Sequence, residues 1–73
     1  MARPAKSTFT PEYEALRAEL VRLRKNAGLT QRELAVRMGR VHSYVARAEI
    51  GDRRMDVLEF VWWCRACGQD PLQ

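Results

Sequence analysis

Histidine occurs once in the 73 residues, cysteine twice, proline three times and glycine four times, and only two of the thirteen basic residues are lysine. Each scarcity removes a class of protein. With His42 as the sole imidazole, no recurring carboxylate pair and no glycine-rich phosphate loop, no constellation for acid–base, nucleophilic or nucleotide chemistry is present, and the chain is not expected to be an enzyme. The two cysteines, Cys64 and Cys67, stand three apart in an apolar helical pattern, so a bridge between them would staple no loop. A structural zinc would need four ligands, and only His42 remains as a third. Reduced core thiols, no metal and no cofactor are therefore expected. No apolar run approaches the length of a membrane span, and no secretory hydrophobic stretch follows the opening MARPAKST, so the expected location is the cytoplasm.

What is present is a composition suited to one small folded domain: 47% hydrophobic and 30% charged residues, without internal repeat or low-complexity tract. Thirteen basic residues against nine acidic ones leave a net charge of +4, a mild bias toward polyanions. Eleven of the cations are arginine, whose planar fork suits bidentate contacts to phosphate or guanine better than lysine does.

The apolar periodicity gives an all-α reading with four helices in one bundle. Residues 1–9 have no period and read as a flexible basic arm carrying Arg3 and Lys6; residues 10–73 form the domain. Thr10 and Pro11 open a first helix over 11–26, with Tyr13, Leu16, Leu20, Leu23 and Ala27 at three- and four-residue intervals and Gly28 as its stop. Thr30 and Glu33 have capping-box spacing at the head of a second helix that buries Leu34, Ala35 and Met38 and is closed by Gly39. A third helix over 42–50 carries Val45 and Ala48 on one side, with Val41 before them, and His42, Ser43, Ala46 and Arg47 on the other. Asp56 caps a fourth over 57–67, in which Val57, Phe60, Val61, Cys64 and Cys67 are expected to face inward and Gly68 ends the helix. Two short amphipathic helices about a glycine turn make a helix-turn-helix pattern, which presents the N-terminal end of its second helix outward at a size that enters a DNA major groove.

The set GLTQRELAVRMG, YVARAEIGDRR and the following DVLEF resembles the Cro/repressor, or Xre, type of helix-turn-helix over residues 16–71. That resemblance implies a lambda-repressor-like fold and a sequence-specific binder of double-stranded DNA. It further implies a dimeric repressor acting at the nucleoid on a pseudo-palindromic operator. Matched position by position, Val41, His42, Ser43 and Arg47 would reach base edges. Gln31, Tyr44, Arg53 and Arg54 would contact the DNA backbone, Gln31 also bracing the third helix and Tyr44 being placed where members of the family either touch phosphate or pack inward. Arg24 and Glu49 match a structural ion pair between the first and third helices. The chain departs from the family in two places. Val41 stands where serine or threonine is common, so the third helix is expected to lack a side-chain N-cap, and the fifth helix of many members is missing, so the core must be closed another way.

Trp62 and Trp63 are adjacent and cannot both point into the core. The expected phase places Trp63 near the core edge and leaves Leu58 and Trp62 as an outward i,i+4 pair. An exposed leucine and tryptophan side by side suggest a contact surface, read as a homodimer interface. The alternative is that this face holds a protein partner, as in an antitoxin or adaptor that also binds DNA.

Overall fold

The structure is a computed structural model that describes residues 10–72. The arm expected over residues 1–9 lies outside the described residues. Four helices follow in order: α1 Pro11–Asn26, α2 Gln31–Arg37, α3 Ser43–Glu49 and α4 Val57–Ala66, and no strand forms among the described residues.

Each boundary has a local cause. Thr10 is extended and its hydroxyl accepts from the Tyr13 amide, Pro11 occupies the first turn, and Glu12 and Glu14 at one end with Arg24 and Lys25 at the other complement the helix dipole of α1. At α2 the capping box is complete: the Glu33 amide donates to the Thr30 hydroxyl at 3.1 Å and the Thr30 amide to the Glu33 carboxylate at 2.8 Å. A second capping box, unanticipated beyond its cap residue, joins Asp56 and Glu59 at the head of α4. The turn between α2 and α3 depends on Gly39, at φ +67°, which lets the Arg40 amide return to the Ala35 carbonyl at 2.9 Å.

The fully buried side chains Leu20, Leu34, Val45 and Trp63 mark the centre of the core, surrounded by Leu23, Leu29, Ala35, Tyr44, Ala48, Met55, Cys64 and Cys67. Helices α2 and α3 make the broadest contact, consistent with the small Ala35 and Ala48 on their buried faces. Burial pushes both cysteine thiols above the ordinary thiol range, which suits core packing rather than thiolate chemistry.

One expectation fails on helix phase. Val57 is 79% exposed rather than inward, and Trp63 is 0% exposed rather than at the core edge. Burying a tryptophan removes about 150–250 Å² from water, worth about 4–6 kcal/mol, against about 1.5–3 kcal/mol for a valine. The larger gain turns α4 until Trp63 is central, and the indole N–H is satisfied there by the Leu20 carbonyl at 3.1 Å. The Tyr44 and Trp63 rings lie 6.3 Å apart and tilted, an aromatic contact between α3 and α4 within the core.

Candidate nucleic-acid interface

Helix α3 has two unlike sides. Tyr44, Val45, Ala48 and Glu49 are buried, whereas Val41, His42, Ser43 and Arg47 are all exposed and share the face turned from the core. His42 already has helical dihedrals (φ −62°, ψ −24°), so the position before the helical residues is Val41, which has no side-chain acceptor. The absent cap read from the sequence is thus observed: no side chain caps α3, and its entry is held by a turn in which the Tyr44 amide donates to the Val41 carbonyl at 3.0 Å.

The far end of α3 is fastened to α1 by charge. Arg24 Nε and Nη2 donate to Glu49 Oε2 and Oε1 at 2.7 and 3.1 Å, a bidentate pair with side chains 11% and 5% exposed. Arg24 Nη1 also donates to the Leu29 carbonyl at 2.9 Å, so one guanidinium ties α1, the loop before α2 and α3 together. Gln31 Nε2 donates to Glu49 Oε1 at 2.9 Å, which makes it a brace between the head of α2 and the tail of α3. Arg17 adds a fastening that the sequence did not suggest: its Nη1 donates to the Glu49 carbonyl at 3.3 Å. Its side chain lies 3.2 Å from where a Cβ on Gly51 would sit, and Gly51 is at φ +82°, a left-handed conformation that itself favours glycine.

Arg53 and Arg54, adjacent and read alike, separate in the fold. Arg54 is exposed with no hydrogen bond or ion pair among the described residues, whereas Arg53 Nη2 donates to Glu59 Oε2 at 2.6 Å. Tyr44, one of the expected backbone contacts, is 4% exposed and packs inward, and its hydroxyl donates to the same Glu59 oxygen at 3.0 Å. Burial, and then the hydrogen bond to the Glu59 carboxylate, push the Tyr44 hydroxyl up to about 12, so it stays a donor. Arg40, directly after the Gly39 turn and absent from the sequence expectations, joins the group at 3.4 Å from Glu59 Oε2. Burial alone would raise the Glu59 carboxyl, but the hydrogen bonds from the Asp56 amide, Arg53 and Tyr44 outweigh it and hold the group below the usual carboxylate range.

Arg47, the residue best shaped for guanine, rests against Asp52, its Nε at 3.3 Å from Oδ2, with both side chains about half exposed. Such a pair is worth at most about 1 kcal/mol, so Arg47 leaves it at little cost. On α4, Leu58 and Trp62 are 59% and 45% exposed. Trp62 edges an open cleft with Arg37, Met38, Arg40, Arg65 and Ala66, so this cleft meets the α3 side of the domain at Arg40, and Leu72 is itself exposed.

A helix-turn-helix domain family matches residues 15–73. The solved structure of an XRE-family like protein from Pseudomonas syringae pv. tomato str. DC3000 is similar over 92% of this chain and 82% of that one, with 45% sequence identity and a TM-score of 0.81. No curated protein matches.

Proposed function

The chain belongs to the Xre-like helix-turn-helix family, and from that membership and the two-sided α3 we propose that it is a DNA-binding regulator that seats α3 in the major groove. The single observation that carries this reading is the division of α3: the core holds Tyr44, Val45 and Ala48, while Val41, His42, Ser43 and Arg47 are exposed on the outward face. In the proposed complex these four meet base edges, Val41 against a thymine methyl and Arg47 on guanine O6 and N7. Arg53 and Arg54 serve phosphates, Gln31 lies beside the backbone while holding Glu49, and Tyr44 acts through the arginines packed on its ring.

Selection of bound duplexes from a random library, repeated with Arg47→Ala, tests the mechanism. Loss of preference at one base pair per half-site is expected, worth about 1–3 kcal/mol there. Uniform weakening across sequences would make Arg47 a phosphate contact instead.

Two copies joined through Leu58 and Trp62 would read half-sites about 34 Å apart, the repeat of the double helix, and repress by occluding a promoter. A leucine and a tryptophan both left exposed support such a face. Sedimentation at micromolar concentration should give a dimer for the parent chain and a monomer for Trp62→Glu; a parent monomer unaffected by the substitution would exclude the interface. The same apolar pair favours a second reading, in which it holds a different protein, as in an antitoxin or adaptor. A stoichiometric partner retained by the parent chain and lost with Trp62→Glu, without any self-association, would select it.

A further inference from the structure

Beside the outward end of α3 lies a cavity of about 300 Å³ whose lining brings together Arg40, Ser43, Tyr44, Arg47 and Arg53. Arg40 and Arg53 stand over the same Tyr44 ring, their guanidinium carbons 4.8 and 5.1 Å from its centroid. Both also reach one carboxylate oxygen, Glu59 Oε2, at 3.4 and 2.6 Å. Neither forms a bidentate pair with that carboxylate, so most of each donor fork is unspent. The Arg53 Nε–H is buried and has no hydrogen-bond acceptor among the described residues, an unfavourable state that a turn of the partly exposed side chain toward an incoming oxygen would relieve. Counting Glu59 against the Arg40 and Arg53 pair and Asp52 against Arg47, three cations and two anions leave one uncompensated positive charge at the cavity.

We propose that this cavity is the seat of a single phosphate group, in duplex DNA a backbone phosphodiester, with Arg40 as a phosphate contact alongside Arg53. The proposal rests on the groove-facing reading of α3 and adds to it a residue and a location. A diester carries one negative charge, matching the excess at the cavity, and its two free oxygens can bridge two guanidiniums that already stand side by side. Glu59 works as a strut: the capping box of α4 holds its other oxygen, so the two arginines are placed before the phosphate arrives and lose less freedom on binding. A carboxylate ligand would compete with Glu59 for the same geometry, whereas a tetrahedral group offers oxygens outside its plane.

The test uses the full chain with mixed-sequence duplex DNA at low salt, since a phosphate contact is indifferent to sequence. Arg40→Ala is expected to weaken binding equally on all duplexes and to reduce the slope of log affinity against log salt by about one unit. If Arg40→Ala melts early, Arg40→Gln keeps part of the aliphatic stem while removing the guanidinium and its charge from over Tyr44, and carries the same expectation. In the parent chain the Arg53 Nε–Hε resonance should shift on adding duplex. A parallel shift with inorganic phosphate at equal ionic strength would show that the seat takes phosphate as such, and a shift with duplex alone would identify the diester. Parent-like affinity and slope in the Arg40 variants, with Arg53 Nε–Hε unmoved while Ser43 and Arg47 signals shift, would overturn the seat and leave the groove reading standing. Failure of the parent chain to bind any duplex at low salt would overturn both.

Discussion

Glu49→Ala is expected to melt more than about 10 °C below the parent chain while keeping its base preference. The carboxylate is almost wholly enclosed and satisfies three donors, two on Arg24 and one on Gln31. Removing it strands a guanidinium that is 11% exposed, and breaking a buried pair from one side costs about 3–5 kcal/mol. A domain of this size holds only about 4–11 kcal/mol in all, and each kcal/mol moves the midpoint by about 4–8 °C. Base preference should survive because Glu49 lies at the tail of α3, on the side away from His42 and Ser43. Thermal melting by circular dichroism, paired with the duplex selection, checks both halves. An unchanged midpoint with altered preference would show that Glu49 belongs to readout. Replacing both partners, Glu49→Leu with Arg24→Met, should recover much of the loss, because an apolar pair strands no charge. Gln31 is only half buried, so its freed amide can turn to water.

How much of this was legible in the sequence depends on the range of the interaction. The caps at Thr10 and Thr30 and the glycine turn at Gly39 each involve residues within a few positions of one another, and the helices they bound lie where their spacing puts them. The Arg24 and Glu49 pair spans 25 residues and was legible only through resemblance to a family. The phase of α4 was not legible, because Val61 and Cys64 are buried in either of two rotations, one of which also turns Val57 inward and the other Trp63. The choice between them is made by the size of Trp63 and by a carbonyl on α1 that accepts its N–H.

The arginines were misleading in the same way. Their number suggested contacts to nucleic acid, yet Arg17, Arg24 and Arg37 donate to the backbone carbonyls of Glu49, Leu29 and Ala66 and so fasten helix ends and loops to one another. A guanidinium that ties two elements and one that waits for a ligand are alike in sequence. Only the position of an acceptor separates them, and Glu59, the acceptor for Arg40 and Arg53, is set by the convergence of α3, α4 and two turns. The spacing of Asp56 and Glu59 did carry a local signal, that of a capping box, but nothing local reveals that the second oxygen of that box serves a tyrosine and two arginines.

That double duty makes Glu59 an acid-sensitive point of the domain. Its folded carboxyl lies below the usual range, while in the unfolded chain it titrates near 4.3 (about the model-peptide value). Between the two values the unfolded state holds the extra proton, so the contribution of Glu59 is complete above the unfolded value and is lost as pH falls through the folded one. Glu59→Gln keeps the shape but removes the charge that Arg53 and Tyr44 face, at an expected cost of about 2–3 kcal/mol at neutral pH, since the arginines are partly solvated. The decisive quantity is the difference in unfolding free energy between the parent chain and Glu59→Gln, measured by urea denaturation from pH 8 downward. It should be constant down to about pH 5 and shrink below about pH 4. Subtracting the variant removes the contribution of the other carboxylates, including Glu33, which is also held below its usual range by the Thr30 amide. A difference that stays the same at pH 7 and pH 3 would show that Glu59 stabilises the fold through its shape and capping role and not through its charge. In that case Arg40 and Arg53 would be placed by the Tyr44 ring alone.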